Sequence, residues 1–129
     1  MTIKQVSVFI ENKRGRSQEV TKLLAENGID ILAFSLADNP EFGILRLIVS
    51  DVDLAVKVLR ENKRAVILTN VIRMDLTNTT GSLERILAFL AEKNINIEYM
   101  YALQGPGICS AIIRPYDFDN CKDTLNDFD

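Results

Sequence analysis

The stretch Asn12–Ile31 reads NKRGRSQEVTKLLAENGIDI, and 66 residues later Asn78–Ile97 reads NTTGSLERILAFLAEKNINI. In both stretches a glycine-containing loop precedes apolar residues at helical spacing, and an Ile-x-Ile run opens the next segment. Further matches follow in order along the chain, which indicates an internal duplication. After Pro40 and Pro106 we place a two-residue slip, and the register returns at Leu59 and Leu125. This slip aligns Gly43 with Gly107 and Ile48 with Ile112.

The pattern within each unit predicts the order β-α-β-β-α-β. Val6, Val8 and Ile10 alternate with other residues, as in a strand, and an apolar stripe at helical spacing follows the loop. We expect Ala65–Leu76 to form the last strand of the first unit and the first strand of the second, with a kink near Asn70. The given sequence stops before a final strand of the second unit, which would leave the Val71–Leu76 edge uncovered unless a partner chain or residues outside the given sequence cover it.

These elements predict an α+β fold of two tandem ferredoxin-like units, residues 1–70 and 71–129, with the second lacking its last strand. Right-handed β-α-β crossovers place both helices of a unit on one face of its antiparallel sheet.

The composition excludes several classes of function. The 129 residues include no histidine, so a His-based catalytic triad or His metal site cannot form within the chain. Two cysteines are too few for a thiolate zinc site, and no cofactor or metal is expected. A net charge of −3 argues against nucleic-acid binding. The apolar runs are too short for a membrane span, and we expect a cytoplasmic protein without membrane attachment.

The loop–helix junctions are the most promising candidate sites. A helix start carries unpaired N–H groups and a partial positive charge, so it can bind a carboxylate or phosphate, and glycine allows close approach. The alternative is that Asn, Gly and Ser form a turn and cap the helix. The junction positions are Asn12, Gly15, Arg16 and Ser17 in the first unit, and Asn78, Gly81, Ser82 and Leu83 in the second.

Other polar and aromatic residues have structural interpretations. We expect Cys109 and Cys121 to be small core residues. Asp51 and Asp117 precede the second helix of each unit, where capping explains them without a metal. Tyr99 and Tyr101 share a strand face and either line a pocket or pack against another element. No nucleophile is paired with a base, so composition and pattern indicate no catalytic machinery.

The quoted stretches resemble the signature of the ACT domain, in which a strand and a glycine-ending loop precede a helix and a Gly-Ile-Asn-Ile-like run. Gly28-Ile29-Asp30-Ile31 and Asn94-Ile95-Asn96-Ile97 match that run, and the resemblance covers nearly the whole chain as two copies. The family's loop commonly contains Asp-x-Pro-Gly. Here Asn12 and Asn78 replace the acid, and Arg14 and Thr80 replace the proline.

The resemblance implies a regulatory protein that senses a small molecule, typically an amino acid, where two domains meet. It implies that the ligand lies between the glycine loop of one domain and the second strand of its neighbour. The loop residues named above would contribute, together with strand positions Ser35, Leu36, Tyr99, Met100 and Tyr101. The resemblance also implies a homodimer and a possible regulated metabolic enzyme as partners.

Two other functions remain open from the sequence. The first is a ferredoxin-like hydrolase of acylphosphatase type, in which Arg14 or Arg16 would hold phosphate. The second is a dimerisation module that binds no ligand. An assay of acyl-phosphate hydrolysis distinguishes the hydrolase. A pocket at the unit interface that is polar at its loop end favours ligand binding, whereas an interface filled with side chains favours the dimerisation module.

Overall fold

A computed structural model describes residues 1–11, 13–38, 41–105 and 107–128, with the backbone alone at residues 104 and 105. The ten elements alternate as the sequence predicts. They are β1 (Thr2–Glu11), α1 (Arg16–Glu26), β2 (Ile31–Asp38), β3 (Phe42–Val49), α2 (Val52–Glu61), β4 (Ala65–Thr77), α3 (Ser82–Glu92), β5 (Ile97–Gly105), β6 (Ile108–Pro115) and α4 (Phe118–Leu125).

The chain divides into two compact units, Lys4–Thr69 and a second formed by Met1–Ile3 with Asn70–Asp129. In the first unit, the strands lie in the order β2-β3-β1-β4 and pair antiparallel where the register is given. Alternate residues of β1, Val6, Val8 and Ile10, form a core with Val20 and Leu24 of α1. The alternation in the sequence therefore marks the helix-covered face of the sheet.

In the second unit, β4, β6 and β5 are neighbours in that order, with antiparallel pairing. Its core contains Ile86 and Leu90 of α3, Cys121 and Leu125 of α4, and strand residues such as Ile113. This is an α+β fold of two ferredoxin-like units, as the sequence predicts, and no strand follows α4 in the part of the chain that the structure describes.

The β4 edge of the second unit differs from our expectation, because Met1 lies against it. The backbone N–H of Arg73 donates to the Met1 carbonyl at 2.8 Å, and the Met1 amino group donates to the Arg73 carbonyl at 3.2 Å. Both bonds join the same two residues, as in an antiparallel pair. Met1 thus lies against part of the Val71–Leu76 edge that we expected to be uncovered.

The unit boundary also differs slightly from the expected division after residue 70. Strand β4 runs through Asn70, where we expected a kink, and the boundary falls between Thr69 and Asn70. Residues Met1–Ile3 belong with the second unit, and Met1 makes both of its backbone bonds described above to Arg73. Local sequence pattern cannot reveal this, since it depends on a strand pairing between distant residues.

The two-residue slip is wrong, because the strand registers keep a constant offset of 66. Val6 pairs with Leu47 and Ile10 with Gly43, while Ile72 pairs with Ile113 and Leu76 with Cys109. The bulge after Ile31 likewise recurs after Ile97. Gly43 therefore corresponds to Cys109, and Gly107 is a turn glycine with φ of 73°. Matching the glycines by type misled the sequence alignment, whereas cross-strand pairing fixes the true equivalence.

Candidate functional site

The two kinds of helix in each unit begin differently. Asp51 and Asp117 cap α2 and α4, where their carboxylates accept from the backbone N–H groups of Leu54 and Asn120 at 3.1 Å. This confirms the capping role expected for both aspartates. By contrast, α1 and α3 begin after Gly15 and Gly81, which offer no side-chain cap.

Both glycines have left-handed backbone conformations, with φ of 84° at Gly15 and 90° at Gly81. Such angles are accessible to glycine and strained for most other residues. The first amide of each helix donates to a loop carbonyl, Arg16 to Lys13 at 3.3 Å and Ser82 to Thr79 at 3.2 Å. The first-turn amides that follow receive no side-chain cap from the glycines and remain suited to an anionic group.

A cavity of about 210 Å³ lies at the start of α3 in the second unit. Its floor is formed by β4, β5 and β6, and its upper rim by the loop and the first turn of α3. The lining residues are Leu76, Thr77, Asn78, Thr79, Ser82, Leu83, Met100, Tyr101, Ala102, Cys109 and Ala111. None of these lining residues carries a charged side chain. The cavity is therefore mainly apolar, with polar groups at its loop end.

Three hydroxyl groups form a ring at that loop end. Thr77 Oγ1 lies 3.0 Å from Thr79 Oγ1 and 2.9 Å from Ser82 Oγ, and the last two oxygens are 2.9 Å apart. Each hydroxyl donates once and accepts twice, so a closed ring uses all three donors and leaves acceptor capacity on each oxygen. The ring can accept hydrogen bonds from a ligand N–H or ammonium group.

The corresponding cavity of the first unit is smaller and charged. It measures about 110 Å³ and is lined by Ile10, Glu11, Lys13, Ser17, Leu36, Asp38 and Gly43. The Lys13 ammonium lies 3.1 Å from the Glu11 carboxylate. The hydrogen bond from Lys13, followed by its charge, holds the pKa of Glu11 below its ordinary value. Duplication has thus produced two cavities of different size and polarity. We call the cavity of the first unit the first mouth and that of the second unit the second mouth.

Arg16 belongs to an ionic network beside the first mouth. Its guanidinium lies 3.0 Å from a Glu19 carboxylate oxygen, and the Arg64 guanidinium lies 2.8 Å from the other oxygen. The hydrogen bond from Arg64 is the main cause that lowers the pKa of Glu19, and Arg16 adds to it. Glu19 therefore remains an acceptor for both guanidinium groups at neutral pH, and Arg16 is tied to the helix surface.

The structure brings together some of the sequence-predicted site residues and separates others. Asn78, Ser82, Leu83, Met100 and Tyr101 line the second cavity. In the first unit, Ser17 and Leu36 line the small cavity. The remaining predicted residues that the structure describes are not among the lining residues of either cavity, namely Gly15, Arg16, Ser35, Gly81 and Tyr99. Asn12 lies outside the described residues.

Tyr99 and Tyr101 share a face of β5, as the sequence predicts. Their rings are stacked, with centroids 6.5 Å apart and planes inclined by 15°. Met100, between them in sequence, packs against the helix-covered core. Since side chains alternate along a strand, the two tyrosine rings lie on the opposite face. Met100 therefore contributes its side chain to the cavity side of β5, and Tyr101 borders the cavity through its backbone.

Several lining residues are not among the site residues predicted from the sequence, and Cys109 is one of them. Cys121 is buried in the second core as expected, but Cys109 is only partly buried and lines the cavity. The expectation of a core residue is therefore wrong for Cys109. Four further lining residues were not predicted as site residues: Thr77, Thr79, Ala102 and Ala111. A usable signal for the strand residues among them was that residues two positions apart on a strand lie on the same face.

The two cysteines are expected to react at very different rates with a thiol reagent. Burial raises the pKa of the Cys121 thiol and blocks access, whereas Cys109 borders an open cavity. Mass spectrometry after brief treatment with iodoacetamide should find label on Cys109 and almost none on Cys121, with both labelled in urea. Equal labelling in the folded protein would contradict the described placement, and Cys109→Ser provides the control.

No group of three or more metal-ligating side chains occurs among the residues that the structure describes. Within the same residues, none of the helices has both the length and the apolar character that crossing a membrane requires.

Comparisons with known proteins agree with this architecture. The Bacteroides thetaiotaomicron protein BT0572 is 43% identical, with 98% of this chain and 88% of that chain covered and a TM-score of 0.89. The ligand-free regulatory subunit of aspartate kinase from Thermus thermophilus is 17% identical, with 100% and 96% covered and a TM-score of 0.68, and is similar in fold. No curated protein gives a significant match.

The repeated β-α-β-β-α order, the left-handed glycine before the first helix of each unit and the constant offset of 66 all describe a pair of related domains. A family model described as an ACT domain pair matches residues 1–126. The chain therefore belongs to the ACT domain pair family.

Proposed function

We propose that this protein is a regulatory sensor that binds a small molecule, an amino acid, in the second-unit cavity. Membership of the ACT domain pair family suggests ligand-binding regulation and a role other than catalysis. The observation that carries the proposal is the 210 Å³ cavity at the uncapped start of α3. That volume is below the roughly 300–1,000 Å³ typical of pockets for drug-sized ligands and suits a smaller molecule.

The cavity offers complementary groups for an amino-acid backbone. The first-turn amides of α3 and the positive end of its dipole suit an α-carboxylate. The hydroxyl ring of Thr77, Thr79 and Ser82 offers acceptors to an α-ammonium group. These uncharged acceptors stand in the region where the family's loop commonly has an acid. The proposed ligand is therefore held by dipoles and hydrogen bonds, with no ion pair to a described lining side chain.

Regulation would follow from unequal affinity for two states of the protein. A ligand shifts an equilibrium only to the extent that it binds one state more tightly. In this proposal, occupancy of the glycine-loop site changes the relative packing of ACT-like units, or the affinity for a partner enzyme. A homodimer is the proposed assembly, in which a second copy could complete the site. Binding of ligand and of partner would then be reciprocally coupled.

The hydrolase alternative finds less support in the first-unit loop. Arg16 is engaged by Glu19 and lies 4.0 Å from Glu11, so its guanidinium is not presented alone to a phosphate. The ligand-free module also finds less support, because the second mouth is an open cavity with a polar loop end. Neither alternative accounts for a hydroxyl ring at the rim of an apolar cavity.

Isothermal titration calorimetry with each of the twenty amino acids tests the proposal. We expect at least one to bind, and we expect Cys109 labelling to slow in its presence because the ligand occupies the cavity that Cys109 lines. Absence of binding by all twenty would contradict an amino-acid sensor. Binding without protection of Cys109 would place the ligand elsewhere. Ser82→Ala, which removes one vertex of the hydroxyl ring, should weaken binding roughly fivefold, as expected for one hydrogen bond.

A further inference from the structure

One cross-strand pair near the cavities differs in side-chain size between the two units. In the first unit, Leu36 of β2 lies directly opposite Leu45 of β3. At the equivalent place in the second unit, Ala102 of β5 lies directly opposite Ala111 of β6. Both alanines line the 210 Å³ cavity. Residues that pair directly across an antiparallel ladder project to the same face, so the second unit has two methyl groups at the place where the first has two isobutyl groups.

The space left by this difference is apolar. Ala111 is buried in the second core, and Met100, which precedes Ala102 by one alternation on the same strand face, packs against that core. Leu76 and Cys109 complete the same floor from β4 and β6, where they pair directly with each other. A hydrocarbon or thioether side chain of a ligand would lose little by leaving water here, whereas a charged one would find no counter-ion among the described lining residues.

The loop ends of the two cavities also differ, because the first has charged side chains where the second has hydroxyl groups. The offset of 66 relates Glu11 to Thr77, Lys13 to Thr79, and Arg16 to Ser82. Two charged side chains that line the first mouth, Glu11 and Lys13, and a third beside it, Arg16, thus correspond to the three members of the hydroxyl ring in the second. In the first mouth these charges bond to one another or to Glu19, and Leu36 lies across the floor. The first mouth is therefore smaller than the second, and the charged groups at and beside it are already paired.

We propose that the two units have diverged in function, with one ligand site per chain, in the second unit, and with selectivity for amino acids with uncharged apolar side chains. The pair Ala102–Ala111 sets the length of side chain that the site accepts. This inference rests on the proposed function, since it assigns the ligand class of that same cavity. The first unit is a structural partner whose mouth takes no ligand.

The test is Ala102→Leu, which places in the second unit the residue that the first unit has at Leu36. Ala102 is exposed to solvent within the cavity, and Leu36 is itself 56% exposed, so the variant is expected to fold. Calorimetry should show at least a tenfold loss of affinity for the largest apolar amino acid that the natural protein binds. Glycine or alanine, if bound, should lose less, because their side chains do not reach the floor.

The matched control is Leu36→Ala, which opens the equivalent place in the first unit. It should change neither the affinity nor the stoichiometry of one ligand per chain, because the charged rim there remains. Thermal unfolding of both variants checks that each is folded. Unchanged affinity in folded Ala102→Leu, an equal loss in Leu36→Ala, or two ligands per natural chain would overturn the inference.

The ligand panel separates this inference from the function on which it rests. Tighter binding of Asp, Glu, Lys or Arg than of Val, Leu, Ile or Met, with Cys109 protected, would overturn the apolar selectivity and leave the amino-acid sensor standing. Failure of all twenty to bind the natural protein would instead refute the sensor itself.

Discussion

Leu90→Ala is expected to lower the free energy of unfolding by about 2–5 kcal/mol, the range for truncating a buried leucine. Leu90 is 1% exposed and lies in the second core with Ile86, Cys121 and Leu125. The truncation removes apolar contacts and leaves a cavity, because helix α3 and strand residues such as Ile113 can relax only partly around it. A loss of this size is a large fraction of the stability of an ordinary domain.

Urea unfolding, monitored by tyrosine fluorescence, measures the loss of stability in the second unit. The chain has no tryptophan, and its three tyrosines, Tyr99, Tyr101 and Tyr116, all lie in the second unit. Leu83→Ala is the matched control on the same helix, since Leu83 is 49% exposed and a surface change of this kind usually alters stability by within about 0.5 kcal/mol. Equal losses for the two variants would contradict the described orientation of α3.

Gly81→Val is expected to cost about 1–3 kcal/mol through backbone strain alone. Gly81 has φ of 90°, a conformation that a β-branched residue adopts only as an outlier. A Cβ atom at this position would meet nothing within 4 Å, so steric overlap with a neighbour is not the cause. Relief of the strain would move the first turn of α3, and we therefore expect weaker ligand binding as well as lower stability in urea.

Gly81→Asn tests whether backbone strain or a steric contact causes the loss of stability in Gly81→Val. Asparagine tolerates the left-handed region better than other non-glycine residues, and Asn94 of this chain already adopts it with φ of 58°. We expect Gly81→Asn to retain most of the stability that Gly81→Val loses. If both variants lost the same amount, the argument from φ would fail and a steric or ligand-site cause would be needed.

Much of the fold could be predicted because it follows from the spacing of apolar residues that are close together in the sequence. Alternation at Val6, Val8 and Ile10 places a strand and its buried face, and the spacing of Ile86 and Leu90 places a buried helix stripe. The site was harder to predict. Ser82 and Met100 lie in recognisable segments, but Ala102 and Ala111 attract no notice in sequence, because their importance is the absence of a larger side chain.

Patterns along the sequence predicted the duplication, the element order and the aspartate caps of α2 and α4. The left-handed conformation of Gly15 and Gly81 became evident only from the structure. The tertiary structure was needed to find three features: the constant offset of 66 between equivalent residues of the two units, the pairing of Met1 with Arg73, and the unequal cavities. These depend on which distant strands lie side by side. Cross-strand pairing sets Ala102 against Ala111, and that contact is invisible until the sheet is formed.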